Sequence, residues 1–208
     1  MDVTDSSGFS SMCRMRDGGA RSSHSIDASG RLVCVFGISG VGKTTLIRQF
    51  VSARPSWRAL SAGGLLGDMT KTAPIDLRIA ERHVIEENQF SVADVVQRYR
   101  RVSPLTKWLL DAHSTIDNDR EFIIVPTEVV VRICPDGLIF VFDDAAPIRE
   151  RRASDSDRRR PIRSLHQIEQ EQKVAFDACL GYARELKLEL HRIRSKDLAD
   201  FEVAVEKM

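Results

Sequence analysis

Four cysteines in 208 residues, none in a C-x-x-C pair, leave little from which to build a zinc site or a disulfide framework. Cys34 and Cys179 fall inside apolar or helical patterns and read as small buried hydrophobes, while Cys13 and Cys134 stand far from them. No apolar run approaches the roughly 20 residues that span a bilayer, so no membrane partner is expected. A basic-then-apolar leader is missing as well, and the expected location is the cytoplasm. The net charge of +1 supplies no global attraction to nucleic acid or anionic lipid. Basic groups cluster only locally, from Arg149 to Arg163.

What the chain does contain is the run Gly37-Ile38-Ser39-Gly40-Val41-Gly42-Lys43-Thr44-Thr45, which fits the phosphate-binding pattern G-x-x-x-x-G-K-[ST]. The pattern has a physical basis at each fixed position. Gly37 and Gly42 permit the tight bend that turns successive N–H groups toward phosphate oxygens. Lys43 brings a mobile positive charge to the β- and γ-phosphates, and the Thr44 hydroxyl suits Mg2+. The flanks agree: 31–36 reads as a buried strand, and Thr44 to Ser52 reads as a helix whose positive end faces the phosphates. Binding of a nucleoside triphosphate follows from this run.

Met1 to Gly30 is rich in Ser, Gly and Asp without a sustained period and reads as a disordered tail. From Arg31 on, short apolar runs alternate with longer helical patterns, which predicts an α/β fold with a parallel sheet. Expected strands are Leu32–Phe36, Arg58–Leu60, Trp108–Leu110, Leu138–Phe142 and Lys187–His191. Helices are expected over roughly 74–101 and over Leu165 to Leu186.

Several features carry alternative readings. Trp108-Leu109-Leu110-Asp111 is an apolar strand ending in an acid, where Asp111 either holds Mg2+ or merely forms a turn. Arg78 and Arg82 share a helix face, as an anion grip or as a solvated surface balanced by Glu81, Glu86 and Glu87. The segment 149–163 is either a surface basic loop or a lid that closes arginines over transferring phosphates.

Taken in order, the phosphate loop, Asp111-Ala112-His113-Ser114-Thr115, Pro135-Asp136, Arg151-Arg152-Ala153-Ser154-Asp155 with Arg158 and Arg160, and Ile168-Glu169-Gln170 resemble the archaeal-type adenylate kinases. The match runs from about Leu32 to His191. The loop is shared by many nucleotide enzymes. The Asp-x-His-Ser-Thr element together with the later Arg-Arg-x-Ser-Asp segment is more specific.

The resemblance implies a three-layer P-loop fold over 31–208, with five parallel strands flanked by helices, a nucleoside monophosphate region near 62–104 and a short lid near 151–163. It implies that Gly37, Ser39, Gly40, Val41, Gly42, Lys43, Thr44 and Thr45 hold ATP, with Mg2+ at Thr44 and Asp111. It assigns the acceptor to Arg78, Arg82, His113 and the turn at Gly63, and the moving phosphoryl group to Lys43, Arg152, Arg158 and Arg160. Guanidinium forks suit both phosphate sites. His113 reads as a base or, better, as a hydrogen-bonding partner, because an acceptor phosphate is already nucleophilic. Ser39 and Ala112 depart from the family's usual residues, and Asp117 to Val125 is more charged than its counterpart.

The leading expectation is a kinase moving the γ-phosphoryl of ATP to AMP or another nucleoside monophosphate. A kinase of a different small acceptor is a second reading. A nucleotide-dependent switch or ATPase acting on a protein or RNA partner is a third, although no strong nucleic-acid signal is present.

Overall fold

A computed structural model describes residues 30–70, 80–118, 120–155 and 163–208. Cys13, Arg78, Arg158, Arg160 and all of the expected tail except Gly30 lie outside the described residues.

The strands, in chain order, are β1 (Leu32–Phe36), β2 (Trp57–Ser61), β3 (Lys107–Asp111), β4 (Thr115–Asp117), β5 (Phe122–Ile124), β6 (Gly137–Phe142) and β7 (Leu190–Arg194). The helices are α1 (Lys43–Ser52), α2 (Ala62–Thr70), α3 (Arg82–Val102), α4 (Thr127–Ile133), α5 (Ala145–Ser154), α6 (Leu165–Leu186) and α7 (Leu198–Lys207). Five strands form one parallel sheet in the order β2-β3-β1-β6-β7. β1 is buried at every position, as expected of an apolar run covered on both faces of a parallel sheet. The connection after β1 runs out to β2 on one side and the one after β3 crosses to β6 on the other, so the crevice where α/β sheets bind ligands opens between the C-terminal ends of β1 and β3.

Aromatic side chains knit helices to each side of the sheet. Phe50 on α1 meets Trp57 and Phe201 edge-on, with ring centres 5.4 and 5.7 Å apart. Across the sheet, Phe36 and Phe140 pack on Tyr182 and Phe176 of α6, at 5.7 and 5.2 Å. The result is the expected three-layer arrangement. Phe50 is fully buried, and truncating such a ring costs about 3–5 kcal/mol. Burial raises the Cys34 thiol above its ordinary value and pushes Cys179 up to about 12. Both are inert core residues, as their sequence setting suggests.

Three local differences from the sequence reading have clear causes. The fifth strand begins at Leu190, not Lys187, because Lys187 stops α6 in a left-handed conformation (φ 54°) with its N–H on Ala183 and Arg184 carbonyls. The turn expected at Gly63 is the first turn of α2, where the Gly64 N–H donates to Ser61 Oγ (3.2 Å). Finally, β4 and β5 form an antiparallel hairpin, with Asn118 Oδ1 accepting the Arg120 and Glu121 N–H groups.

Pro135-Asp136 proves to be a structural tie. Asp136 Oδ2 accepts the N–H of Leu32 (2.8 Å) and the buried guanidinium of Arg100 (2.9 Å), and Arg100 Nε donates to Gly30 O (2.7 Å). These bonds set the entry to β1 and hence the phase of the loop that follows. α6 starts on a capping box, in which Ser164 Oγ accepts Gln167 N–H and the Gln167 side chain accepts Ser164 N–H.

Candidate active site

The loop between β1 and α1 takes its shape from glycine. Gly37, Gly40 and Gly42 have φ of 148°, 77° and 113°. A Cβ on Gly37 would lie 2.5 Å from the Val141 carbonyl oxygen, so only glycine fits there. Ile38 and Val41 are buried and pin the loop to the core. Gly42 occupies the N-cap of α1 with no side-chain cap, which leaves the first N–H groups of the helix for an anion.

Lys43 is buried, and its ammonium lies within the loop. Nζ donates to Gly37 O (2.7 Å) and Ile38 O (3.2 Å). It stands 3.3 Å from His113 Nε2 and 3.8 Å from Asp111 Oδ1. An ammonium has only donors, so Nε2 accepts here and the ring proton sits on Nδ1. The structure therefore seats His113 against the phosphate-loop lysine.

β3 lies beside β1, with Asp111 opposite Val35, and carries its terminal carboxylate to the same crevice. Thr44 Oγ1 donates to Asp111 Oδ2 (2.5 Å). Asp111 Oδ1 is buried and has no hydrogen-bond partner. A hydroxyl touching a carboxylate with one unsatisfied oxygen fits a hard divalent cation, and two protein oxygens leave Mg2+ room for phosphate and water ligands.

The arginine-rich segment begins as helix. Arg152 is in α5, where Nε donates to Ser39 O (2.8 Å) and the two Nη groups meet both oxygens of Glu171 on α6 at 2.9 Å. Its side chain is 9% exposed and that of Glu171 is 7%. Arg152 thus reaches the phosphate loop through a backbone carbonyl, held by a buried carboxylate. Arg151 pairs with Asp143 (2.6 Å), which also accepts Ser195 Oγ (2.6 Å) and Asp144 N–H (2.9 Å). Burial pushes the Asp143 carboxyl upward, but the Ser195 hydroxyl, Arg151 and the Asp144 N–H together bring it below its ordinary value. Gln172 on α6 clamps the Asp143 backbone, accepting its N–H (3.1 Å) and donating to its carbonyl (2.9 Å). This cluster abuts the loop, since a Cβ on Gly42 would lie 3.1 Å from Ser195 Cβ.

On the acceptor side, Arg82 opens α3 and its guanidinium pairs with Glu121 of the hairpin and with Glu86. Nothing lies within 4 Å of a Cβ on Gly63, so no close approach requires glycine there. A cavity of about 430 Å3 is bounded by Thr44 and Asp111 at one end and by Ile47, Val51 and Leu60 along its wall. That size falls in the roughly 300–1,000 Å3 range of small-molecule sites.

The structure thus brings Gly37, Ser39, Gly40, Val41, Gly42, Lys43, Thr44, Thr45, Asp111, His113 and Arg152 to one crevice, while Arg82 pairs with the hairpin and Gly63 lies in the first turn of α2. Sequence reasoning missed Asp143, Ser195, Glu171 and Gln172. The double acid Asp143-Asp144 after an apolar strand was the available signal.

A family model described as an AAA domain matches residues 36–169. An adenylate kinase of Methanococcus vannielii is 25% identical over 160 residues, covering 73% of this chain and 82% of that protein. An adenylate kinase of Methanoculleus marisnigri is 25% identical over 164 residues, covering 74% and 84%. Among solved structures, a sugar kinase from a Janibacter species is 16% identical, covers 86% of this chain and 92% of its own, and gives a TM-score of 0.48. The resemblance read from the motifs is thus shared with two archaeal adenylate kinases over about three quarters of this chain. Among the described residues, no helix is long and apolar enough to cross a membrane.

Proposed function

This chain belongs to the AAA domain family whose model spans its residues 36–169, and on that premise we propose that it is an ATP-dependent kinase of nucleoside monophosphates. Its reaction transfers the γ-phosphoryl of ATP to AMP, giving two ADP. The relatives named adenylate kinase support the acceptor class. The observation that carries the reading is the cavity bordered by Thr44 of the phosphate loop and by Asp111 at the end of β3. A nucleotide switch needs one nucleotide site, whereas a phosphotransferase needs a second site abutting the first.

Phosphoryl transfer asks the protein chiefly for alignment and charge neutralisation. The N–H groups of the loop and of the first turn of α1 cradle the donor phosphates. Lys43 is already desolvated and held by carbonyls, so its charge is positioned before substrate arrives. His113 keeps the ammonium from swinging out of the crevice. Thr44 and Asp111 would hold Mg2+, which supplies positive charge to the phosphate oxygens. Arg152 acts as a positioning residue, tying the loop carbonyl of Ser39 to α6 through Glu171. Arg158 and Arg160 belong to the proposed lid, and Arg78 and Arg82 to the proposed acceptor region.

Three of the four described arginines of the basic segment, Arg151, Arg152 and Arg163, are engaged by Asp143, Glu171 and Asp117, which leaves Arg149 alone exposed among them and weighs against RNA. The deciding experiment offers AMP, CMP, GMP, UMP and dTMP to the protein with Mg-ATP and measures the diphosphates formed. Activity on AMP is expected. Turnover of none of the five, beside slow ATP hydrolysis, refutes the kinase reading and leaves the switch.

A further inference from the structure

One cation on the cavity wall has no assigned role. On α1, positions 44, 48 and 52 follow one another at four-residue spacing and all border the cavity, with Ile47 and Val51 beside them. Arg48 is therefore one turn from Thr44 on the same face, with about 5–6 Å between the Cβ atoms of such a pair. Among the described residues bordering the cavity it is the one cation, and Asp111 is the one acid.

Its surroundings differ from those of the neighbouring arginines. Arg54 is bound by Glu202 and Glu206, Arg82 by Glu121 and Glu86, Arg152 by Glu171. Arg48 is exposed and makes no hydrogen bond or ion pair with any described residue. Among the described residues none takes a donor of its guanidinium, whose planar fork suits phosphate oxygens. The apolar wall cannot hold a charge, and Asp111 repels an anion. The cavity's only attraction for an anionic group among these residues comes from Arg48.

We propose that Arg48 grips the phosphate of the acceptor nucleoside monophosphate, at the end of the cavity nearest the phosphate loop. The inference rests on the kinase reading above and adds a specificity residue to it. A phosphate held there lies between Arg48 and the Thr44–Asp111 pair, facing the donor, while the apolar wall takes the nucleoside. An unphosphorylated nucleoside would leave the guanidinium without a partner and bind weakly.

The test compares wild type, Arg48→Ala and Arg48→Lys by calorimetric titration with AMP and, separately, with a non-hydrolysable ATP analogue. AMP affinity should fall at least about tenfold in Arg48→Ala, the size of a lost charged hydrogen-bonding pair. It should recover in part in Arg48→Lys, and affinity for the ATP analogue should change by less than about twofold in both. Steady-state kinetics should show a raised KM for AMP and an unchanged KM for ATP. AMP affinity within about twofold of wild type in Arg48→Ala overturns the inference and spares the kinase reading. Equal losses for both nucleotides also overturn it, by moving Arg48 to the donor side. A wild-type protein that binds no nucleoside monophosphate overturns both.

Discussion

Removing Arg152 should unfold more than it disarms. Its guanidinium meets both oxygens of Glu171 at 2.9 Å, with the two side chains 9% and 7% exposed. Arg152→Ala leaves the Glu171 carboxylate buried beside no cation, and breaking such a pair costs about 3–5 kcal/mol. For a chain of this size each kcal/mol lowers the melting temperature by about 2–4 °C, so a drop of about 6–20 °C is expected. Glu171→Ala should cost a similar amount from the other side. Replacing both, as Arg152→Leu with Glu171→Leu, should restore most of the loss, because apolar packing substitutes for a buried ion pair. Urea denaturation of wild type, Arg152→Leu, Glu171→Leu and the double variant closes the cycle. The double variant also isolates the functional part, for it keeps the fold while freeing the Ser39 carbonyl. Its kcat should fall with ATP affinity largely kept. A melting temperature for Arg152→Ala within about 1 °C of wild type refutes this reasoning. The guanidinium would then be free in solution, as a residue of a mobile lid.

Asp143→Asn should change acid stability. Because the folded carboxyl titrates below its ordinary value, its contribution is present above about pH 4 and is lost as pH falls through the folded value. Urea midpoints from pH 7 to pH 3 should fall less steeply in the variant, and parallel curves for the two proteins contradict the assignment. Asp111→Asn should weaken the Mg2+ dependence of ATP-analogue binding by about ten- to hundredfold, with binding in EDTA unchanged. Loss of nucleotide binding in EDTA as well would show that Asp111 holds up the loop instead. Gly37→Ala should abolish ATP binding and destabilise by about 2 kcal/mol or more, since the new Cβ meets a backbone oxygen at 2.5 Å. Gly181→Ala, in an open helical position, should stabilise by about 0.5–1 kcal/mol. Thermal melts of the pair would expose any error in the loop geometry.

The donor half of the site was legible because local rules write it. Three glycines with positive φ, a buried strand before them and a helix after leave one arrangement for Gly37 to Thr45. The limits of α6 were legible for the same reason, with Ser164 and Gln167 marking its start. The arginines were not. A run of charge near Arg151 looks like a solvated loop or a lid, and nothing local says that Glu171, nineteen positions on, lies buried across from Arg152. Lys187–His191 has the composition of a strand, yet its first residues serve to stop a helix. Arg48 was hidden by ordinariness, since an arginine in the second turn of an amphipathic helix usually faces water. Only the cavity wall singles it out.

Helix α6 also behaves as a ruler. Glu171 meets Arg152, Gln172 clamps the Asp143 backbone, the Ala175 carbonyl takes the Ser114 hydroxyl, and the Tyr182 hydroxyl reaches the carbonyls of Ser114 and Val125. Each contact reads a different mark along one rod. Inserting a single residue near Ile168 would rotate every later mark by about 100° and shift it 1.5 Å along the axis. The donor loop's anchor, the Asp143 cluster and the loop after β3 would then lose register in one step. A residue added before Ser164 leaves the zero of the scale where the capping box sets it. Chain length in this protein is therefore locked from Ser164 through Tyr182.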